Sequence, residues 1–396
     1  MRSGGADYAL RLCQELADAG QEVRVVTSRI KNVVRDSRLQ IYPVMNKWSW
    51  RELPKLLRIV QRFRPDVINL HFVGSIYNHH PMITLATSVI KRMLPTVRIV
   101  THIESPVGIT YGKVSRATRG VRKAIVQWLG RQGTSYEFGS VLRDSDCLIV
   151  LSDVHRMMLN EYFAGVGGKC VLIPPPPIMR MCAETNGAAR QRGREMLNVA
   201  PDDFLIIYFG YLYPGKGIEI LLESFKQVAQ RADHMRLVLV GGSNEVLLRE
   251  VKRPNYEAEL KQLSAQLGIA DKVIWTGYYP TDSDHASIYL RSADTCVLPF
   301  DWGVYLNNSS FAAAVAHGLP VVTTRGKIVE TPLNDGKNII LCPPKEPQAI
   351  AAAINSLASE SELRQHLSRG AQELAQDWFS WDKAIERTLM AFKGNE

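Results

Sequence analysis

FLIIYFGYLYPGKGIEILLESFKQVAQRA, residues 204–232, decides the fold. Residues 204–209 are continuously apolar and stop at Gly210, the pattern of a strand buried on both faces of a parallel sheet. A turn follows, and then residues 218–232 place apolar side chains at helical spacing. Strand, glycine turn and helix form one half of a βαβ unit, and the unit recurs downstream. RLVLVGG (236–242), KVIWTG (272–277), TCVLPF (295–300) and PVVTT (320–324) read as further strands. Helices are expected between them at 259–268, near 283–291 and at 311–317. Strands alternating with helices of this length imply a parallel α/β sheet.

The first half repeats the scheme. Helix 6–19 ends at Gly20 and leads to strand 22–28; helix 51–63 leads to strand 66–72. A helix at 82–93 and strands at 97–102 and 147–152 complete it. IPPPPI (173–178) continues neither element, because proline lacks the donor and fixes φ. The domain boundary is placed there. The expected architecture is α/β, with two facing Rossmann-like domains at 1–175 and 176–376 and a closing helical segment at 377–396.

Composition agrees with a folded chain of two domains. Of 396 residues 46% are hydrophobic and 22% charged, which excludes disordered and fibrous classes. No apolar run approaches the ~18 residues of a membrane span. Six scattered cysteines with no CxxC pair suggest neither a disulfide framework nor a zinc site, so a cytoplasmic protein is expected. The net charge of +9 is uneven: residues 1–175 hold 25 Lys and Arg against 13 Asp and Glu. The densest run, KVSRATRGVRKAIVQWLGR (113–131), suits a helix lying on acidic lipid and equally an ordinary solvated helix face. No zinc finger, aromatic RNA-binding signature or helix-turn-helix pattern points to nucleic acid.

The chain opens MRSGGADYALRL, a glycine loop entering a helix with no strand before it. In a doubly wound sheet such a loop follows a central strand, and losing that strand leaves two neighbours with unpaired edges. A strand and lead-in of roughly 10–20 residues are therefore expected upstream. An intact mass of 44.4 kDa for the native protein would count against this.

Five segments carry a family resemblance. ADYALRLCQELADAGQEVRVVTS (6–28), DSDCLIVLSDVHRMML (144–159), YFGYLYPGKGIEILLESF (208–225), AVAHGLPVVTTRG (314–326) and DWFSWDKAIERTLMAF (377–392) occur in the order found in family-four GT-B glycosyltransferases, which the chain resembles over nearly its whole length. The resemblance implies retaining, metal-independent transfer of a sugar from a nucleotide diphosphate sugar to an acceptor hydroxyl on a lipid-linked glycan or polysaccharide. It implies no cofactor, a nucleotide sugar and a glycan or lipid-linked acceptor as partners, and a peripheral position on an acidic inner membrane face. The last helix is expected to cross back onto the first domain.

The candidate site residues follow. A departing diphosphate needs positive charge, which helix N-termini and lysine supply. Lys216 stands at the head of helix 218–232, and Gly210 lets the backbone approach a ligand. Asn307, Asn308, Ser309 and Ser310 precede the helix ending at His317, as caps, as a diphosphate cradle, or as both. The resemblance places Gly4 and Gly5 in a phosphate loop and brings His102 to the donor sugar. Glu104 is assigned to binding or deprotonating the acceptor hydroxyl.

Two features depart from the family: the Arg common after the first glycine of the donor half is Tyr211 here, and the glutamate pair is missing. Its paired glutamates fall on Tyr305 and Ala313, which leaves the donor open and makes a non-catalytic scaffold or regulator the second reading. A nucleotide-sugar epimerase is the third. Asp144/Asp146 and Asp282/Asp284 imitate a metal motif but stand at a strand entry and a helix start, so no metal is expected. His71, His79 and His80 are read as packing or surface residues, since their spacing fits no metal site.

Overall fold

The computed structural model describes residues 4–29, 34, 36–77, 79–106, 120, 138–243, 248–249, 251–279 and 283–394. The basic run 113–131, apart from Gly120, and Asp282 lie outside them. The chain divides into two compact units, Met1–Pro174 with Trp381–Glu396, and Pro175–Ser380.

The first unit contains α1 (Gly4–Asp18), β1 (Val23–Ser28), β2 (Leu39–Met45), α2 (Leu53–Phe63), β3 (Val67–Phe72) and α3 (Met82–Met93). It continues with β4 (Arg98–Ile103), the single turn α4 (Val141–Asp144), β5 (Cys147–Val150), α5 (Asp153–Tyr162) and β6 (Cys170–Leu172). All pairings are parallel. β3-β4-β5-β6 form one sheet, whereas β1 and β2 pair only with each other. No described strand precedes α1, and among the described residues β1 and β3 each have one unpaired edge. β2 escapes the sequence reading because Pro43 interrupts it. Proline is tolerated there because β2 is an edge strand, whose outer N–H groups have no ladder partner.

The second unit holds α6 (Asn186–Leu197), β7 (Phe204–Phe209), α7 (Ile218–Ala229), β8 (Met235–Val240), α8 (Tyr256–Gln266) and β9 (Val273–Gly277). Then come α9 (His285–Ser292), β10 (Thr295–Leu298), α10 (Ser309–Ala316), β11 (Val321–Thr324), β12 (Ile340–Cys342), α11 (Pro347–Ser359) and α12 (Ser361–Trp378). Its sheet runs β12-β11-β10-β7-β8-β9, all parallel, so the strand order reverses between β7 and β10. Every residue of β7 is buried, as its uninterrupted apolar run requires. The last helix, α13 (Trp381–Lys393), belongs to the first unit. Its Ala384 and Ala391 pack on Val100 and Ile149 of the sheet, Trp381 stacks on Tyr8 at 5.8 Å, and the Arg98 guanidinium donates to the Ala391 carbonyl at 2.9 Å.

The entry to β7 is fixed by a buried cation. Arg194 of α6, 4% exposed, donates to Asp294 at 2.8 Å and to the carbonyls of Ser292, Ala200, Pro201 and Asp203. Asp294 also accepts from the Leu205 N–H at 2.8 Å. A buried guanidinium satisfied by one carboxylate and four carbonyls fits nowhere else, so it sets how α6, β7 and the start of β10 meet. Helix α6 reaches α9 closely only because Gly193 has no side chain: a Cβ there would lie 2.7 Å from Ser292 Cβ and 2.8 Å from the Ile288 carbonyl oxygen. Gly193→Ala should therefore cost about 1–3 kcal/mol. Gly187→Ala, on the open face of the same helix, should be neutral or stabilising. Urea midpoints of the two variants check the contrast.

Candidate functional site

In open parallel sheets ligands bind at the carboxyl ends of the strands where the order reverses, and in the second unit that place lies after β7 and β10. Gly210 ends β7 with φ 139° and Gly241 follows β8 with φ 127°. A side chain at 210 would strike the Ser310 hydroxyl, one at 241 the Gly210 carbonyl, and one at 217 the Pro299 carbonyl. The strand ends, the head of α7 and the head of α10 are thus drawn together through backbone. Asn308 caps α10 by accepting from the Phe311 N–H at 3.1 Å. Ser309 is exposed, whereas Ser310 is buried against Gly210.

Lys216 lies in the turn before α7. Its ammonium sits 4.8 Å from the centre of the Phe300 ring and 5.0 Å from that of Tyr213, a cation–π arrangement. No carboxylate pairs with it among the described residues, and burial lowers its pKa to about 8. A buried cation in the turn before a helix start has the electrostatics to meet an anion. Gly210, Lys216, Asn308, Ser309 and Ser310, picked from sequence, are gathered on this one face.

The loop before α10 has its own support. Glu330, 2% exposed, accepts from the Leu306 N–H at 2.6 Å, and the Tyr305 hydroxyl accepts from the Lys327 N–H at 3.2 Å. These two bonds tie residues 305–306 to the turn after β11. Ala313 is buried with Ala312 and Ala314 on α10, so no carboxylate rises from that helix. Sequence reading passed over Glu330; its signal was an acidic residue soon after a strand and an Arg-Gly turn. It also passed over Tyr278, whose exposed ring meets that of the exposed Tyr211 edge-on at 6.4 Å beside Gly242.

The first unit gathers a second polar cluster. Gly5 approaches Glu104 so closely that a side chain at 5 would collide with the carboxylate. Glu104 pairs with His71 Nδ1 at 3.0 Å, and His71 stacks on His102 at 4.5 Å between ring centres. His102 is fully buried, and neither ring nitrogen has a partner among the described residues. Burial, and then the His71 charge, push its pKa well below the ordinary value, so the ring is neutral. The Tyr8 hydroxyl and Asn69 Oδ1 are likewise buried without partners. The His102 ring, which the resemblance brings to the donor sugar, is enclosed beneath His71. His71, read from sequence as packing, joins Glu104 at the partly exposed edge of the cluster. His80 instead accepts from the Met82 N–H at 3.1 Å, and His79 takes a left-handed backbone. Asp144 accepts from Ser88, and Asp146 from the Ile99 N–H at 2.7 Å and from Lys91 at 2.6 Å, so both carboxylates are committed to packing α3 and the sheet.

Two family models match the chain, Glycosyltransferase Family 4 over residues 2–176 and Glycosyl transferases group 1 over residues 189–374. The D-inositol 3-phosphate glycosyltransferase of Geodermatophilus obscurus is 28% identical over 261 residues, 64% of this chain and 53% of that protein. The lipopolysaccharide 1,2-N-acetylglucosaminetransferase of Salmonella typhimurium is 26% identical over 52% of each chain. The chain spans about half the length of the curated relatives it matches. Among solved structures, a glycosyltransferase from Rickettsia africae superposes with a TM-score of 0.71 at 14% identity, covering 99% of this chain and 95% of its own. Anabaena HepE in complex with UDP gives 0.68 at 15% identity, covering 99% and 97%. With both halves matched in order and the GT-B fold shared from end to end, this chain belongs to the group 1 glycosyltransferases of the GT-B fold.

Proposed function

We propose that this protein moves a hexose-type unit from a nucleotide diphosphate sugar to an acceptor hydroxyl, with retention of configuration. The observation that carries this reading is Lys216, an unpaired cation held between Phe300 and Tyr213 where α7 and α10 begin. As the bond from the anomeric carbon to the diphosphate breaks, negative charge accumulates on the departing oxygen. Lys216 and the free N–H groups of the two helix starts meet that charge in place, with little reorganisation. Charge stabilisation of this kind calls for no metal. The relatives named for transfer to inositol phosphate and to lipopolysaccharide support a phosphorylated or lipid-linked acceptor. On the first unit, Glu104 is the proposed partner of the acceptor hydroxyl and accepts its proton, with His71 orienting the carboxylate. No described helix is long and apolar enough to cross a membrane, and contact with an acidic lipid surface is proposed from the charge of the first 175 residues. Binding to liposomes that does not depend on acidic lipid would remove that part.

A non-catalytic scaffold is the second reading, favoured by the absence of a carboxylate at Ala313. Turnover separates the two. The full chain, titrated calorimetrically with UDP, GDP and ADP, should bind one of them at micromolar concentration. Lys216→Ala should weaken it at least about tenfold, the loss of one charge-assisted contact. Hydrolysis or transfer from the matching nucleotide sugar, followed by NMR of the product's anomeric proton, should show retention. Binding without turnover across acceptors selects the scaffold.

The lysine also fixes a pH dependence. Its pKa near 8 means that the free protein loses this charge as pH rises through 8. A bound diphosphate favours the charged form and raises the pKa, so binding above about pH 8 takes up a proton and weakens with pH. The same shift makes the ligand-free fold gain stability from this group between about pH 8 and the unfolded value near 10.5, because there the unfolded chain binds more protons. Calorimetry at pH 8.5 in two buffers of different protonation heat should show uptake in the wild type and none in Lys216→Met.

A further inference from the structure

We propose that the cleft of about 380 Å³ lined by Asp301, Trp302, Arg325, Gly326, Lys327 and the pair Pro343–Pro344 binds one pyranose ring of the acceptor. This rests on the transferase reading and extends it to the substrate that reading leaves undefined.

The cleft is built from the carboxyl ends of three neighbouring strands. Asp301 and Trp302 follow β10, Arg325 to Lys327 follow β11, and the two prolines follow β12. Its frame is held by backbone. Gly303 closes a turn onto Phe300 at 3.2 Å, the Val304 N–H donates to Thr324 at 2.9 Å, and the Arg325 N–H to Cys342 at 2.8 Å. Gly303 has φ 84°, and the backbone of residue 326 fills the place of its Cβ, so the turn is set at close range. At the tip of that turn Trp302 is 73% exposed, more than any other large apolar side chain described. An exposed aromatic alone means little. Here the indole lines a preformed cleft and stands beside groups that both accept and donate.

Those groups have the chemistry of a neutral sugar. A pyranose offers a face of C–H bonds to an aromatic ring and a rim of hydroxyls that donate and accept. Trp302 supplies the ring, the Asp301 carboxylate accepts, and Arg325 and Lys327 donate. Arg325 is held by Asp335 at 2.8 Å, and Lys327 and Asp301 bring opposite charges to the same cleft, so the local charge balances. That balance disfavours a multiply charged anion and suits hydroxyls. The cleft begins one residue from the anion site, because the Asp301 N–H donates to the carbonyl of Gly215 at 3.2 Å. It then runs outward towards β11 and β12, away from the reversal between β7 and β10. A ring seated there lies next to the departing diphosphate without occupying its place, where an attacking hydroxyl must be held.

The test uses the full chain and saturation-transfer NMR with methyl α-glucopyranoside, methyl α-galactopyranoside and N-acetylglucosamine, one at a time. Transfer to the ring protons of at least one is expected, undiminished when the nucleotide diphosphate site is saturated. Trp302→Ala, at an exposed turn, should weaken that sugar about tenfold or more, and Lys327→Ala should weaken it less. Silence from all three sugars, or equal transfer in Trp302→Ala, overturns the proposal. So does displacement by inorganic phosphate, which would make the cleft an anion site, or by the cognate nucleotide sugar, which would assign it to the donor's own ring. Nucleotide titration of the same samples keeps the two readings apart. Nucleotide binding without sugar binding removes only the cleft; sugar binding without nucleotide binding removes the transferase and, with it, the cleft's role as an acceptor site.

Discussion

At the carboxyl edge of the second unit's sheet, backbone has taken the space that side chains would use. Gly210, Gly217 and Gly241 each face a carbonyl or hydroxyl where a Cβ would stand, and each has a positive φ that other residues adopt only with strain. That constraint brings the end of β8 against the end of β7, the end of β7 against the start of α10, and the start of α7 against the end of β10. Everything proposed for the site depends on it. Helix N-termini act on an anion only over their first turn, so two of them cooperate only if the chain lets them approach within that range. Lys216 then adds a whole charge in the turn before α7, shielded by Phe300 and Tyr213 and with no carboxylate paired to it among the described residues.

The alternation of strand and helix was legible because parallel strands buried on both faces are apolar without interruption, as in residues 204–209. What escaped were elements whose pattern is too short or is broken. β6 and β12 have three residues each, below the length at which an apolar run stands out, and β2 carries Pro43. Helices α6, α11 and α12 escaped for a different reason. They lie outside residues 204–324, the stretch in which strand and helix alternate, so no neighbouring repeat frames them. The expected strand ahead of α1 has no described counterpart, and β1–β2 stand as a separate pair.

Within the site, the residues found from sequence are those whose role is local. Lys216 and Asn308 are recognisable because a turn and a cap are defined by neighbours in the chain. Those missed act at long range. Glu330 supports Leu306 across 24 positions, and His71 meets Glu104 across 33. Nothing in the residues around either one announces its partner. His102 differs again: its place near the end of β4 is legible in the sequence, but its burial against His71 and Tyr8 is not.

Glu330 bears on the absent paired glutamates. A carboxylate at 305 would stand in solvent or on a ligand, whereas Tyr305 instead spends its hydroxyl on the Lys327 N–H. A carboxylate at 313 would need room that α10, buried along three successive alanines, does not have. The loop before α10 is nevertheless held, because Glu330 supplies, from the segment after the neighbouring strand β11, the acceptor that Leu306 requires. Loss of the family's usual acidic pair has therefore not loosened the loop that presents Asn308, Ser309 and Ser310. It has removed the carboxylate expected for a ribose and left Tyr211 and Tyr278 as the exposed side chains beside Gly242. Under the transferase reading, the nucleoside must then be recognised by stacking and backbone contacts more than by charge.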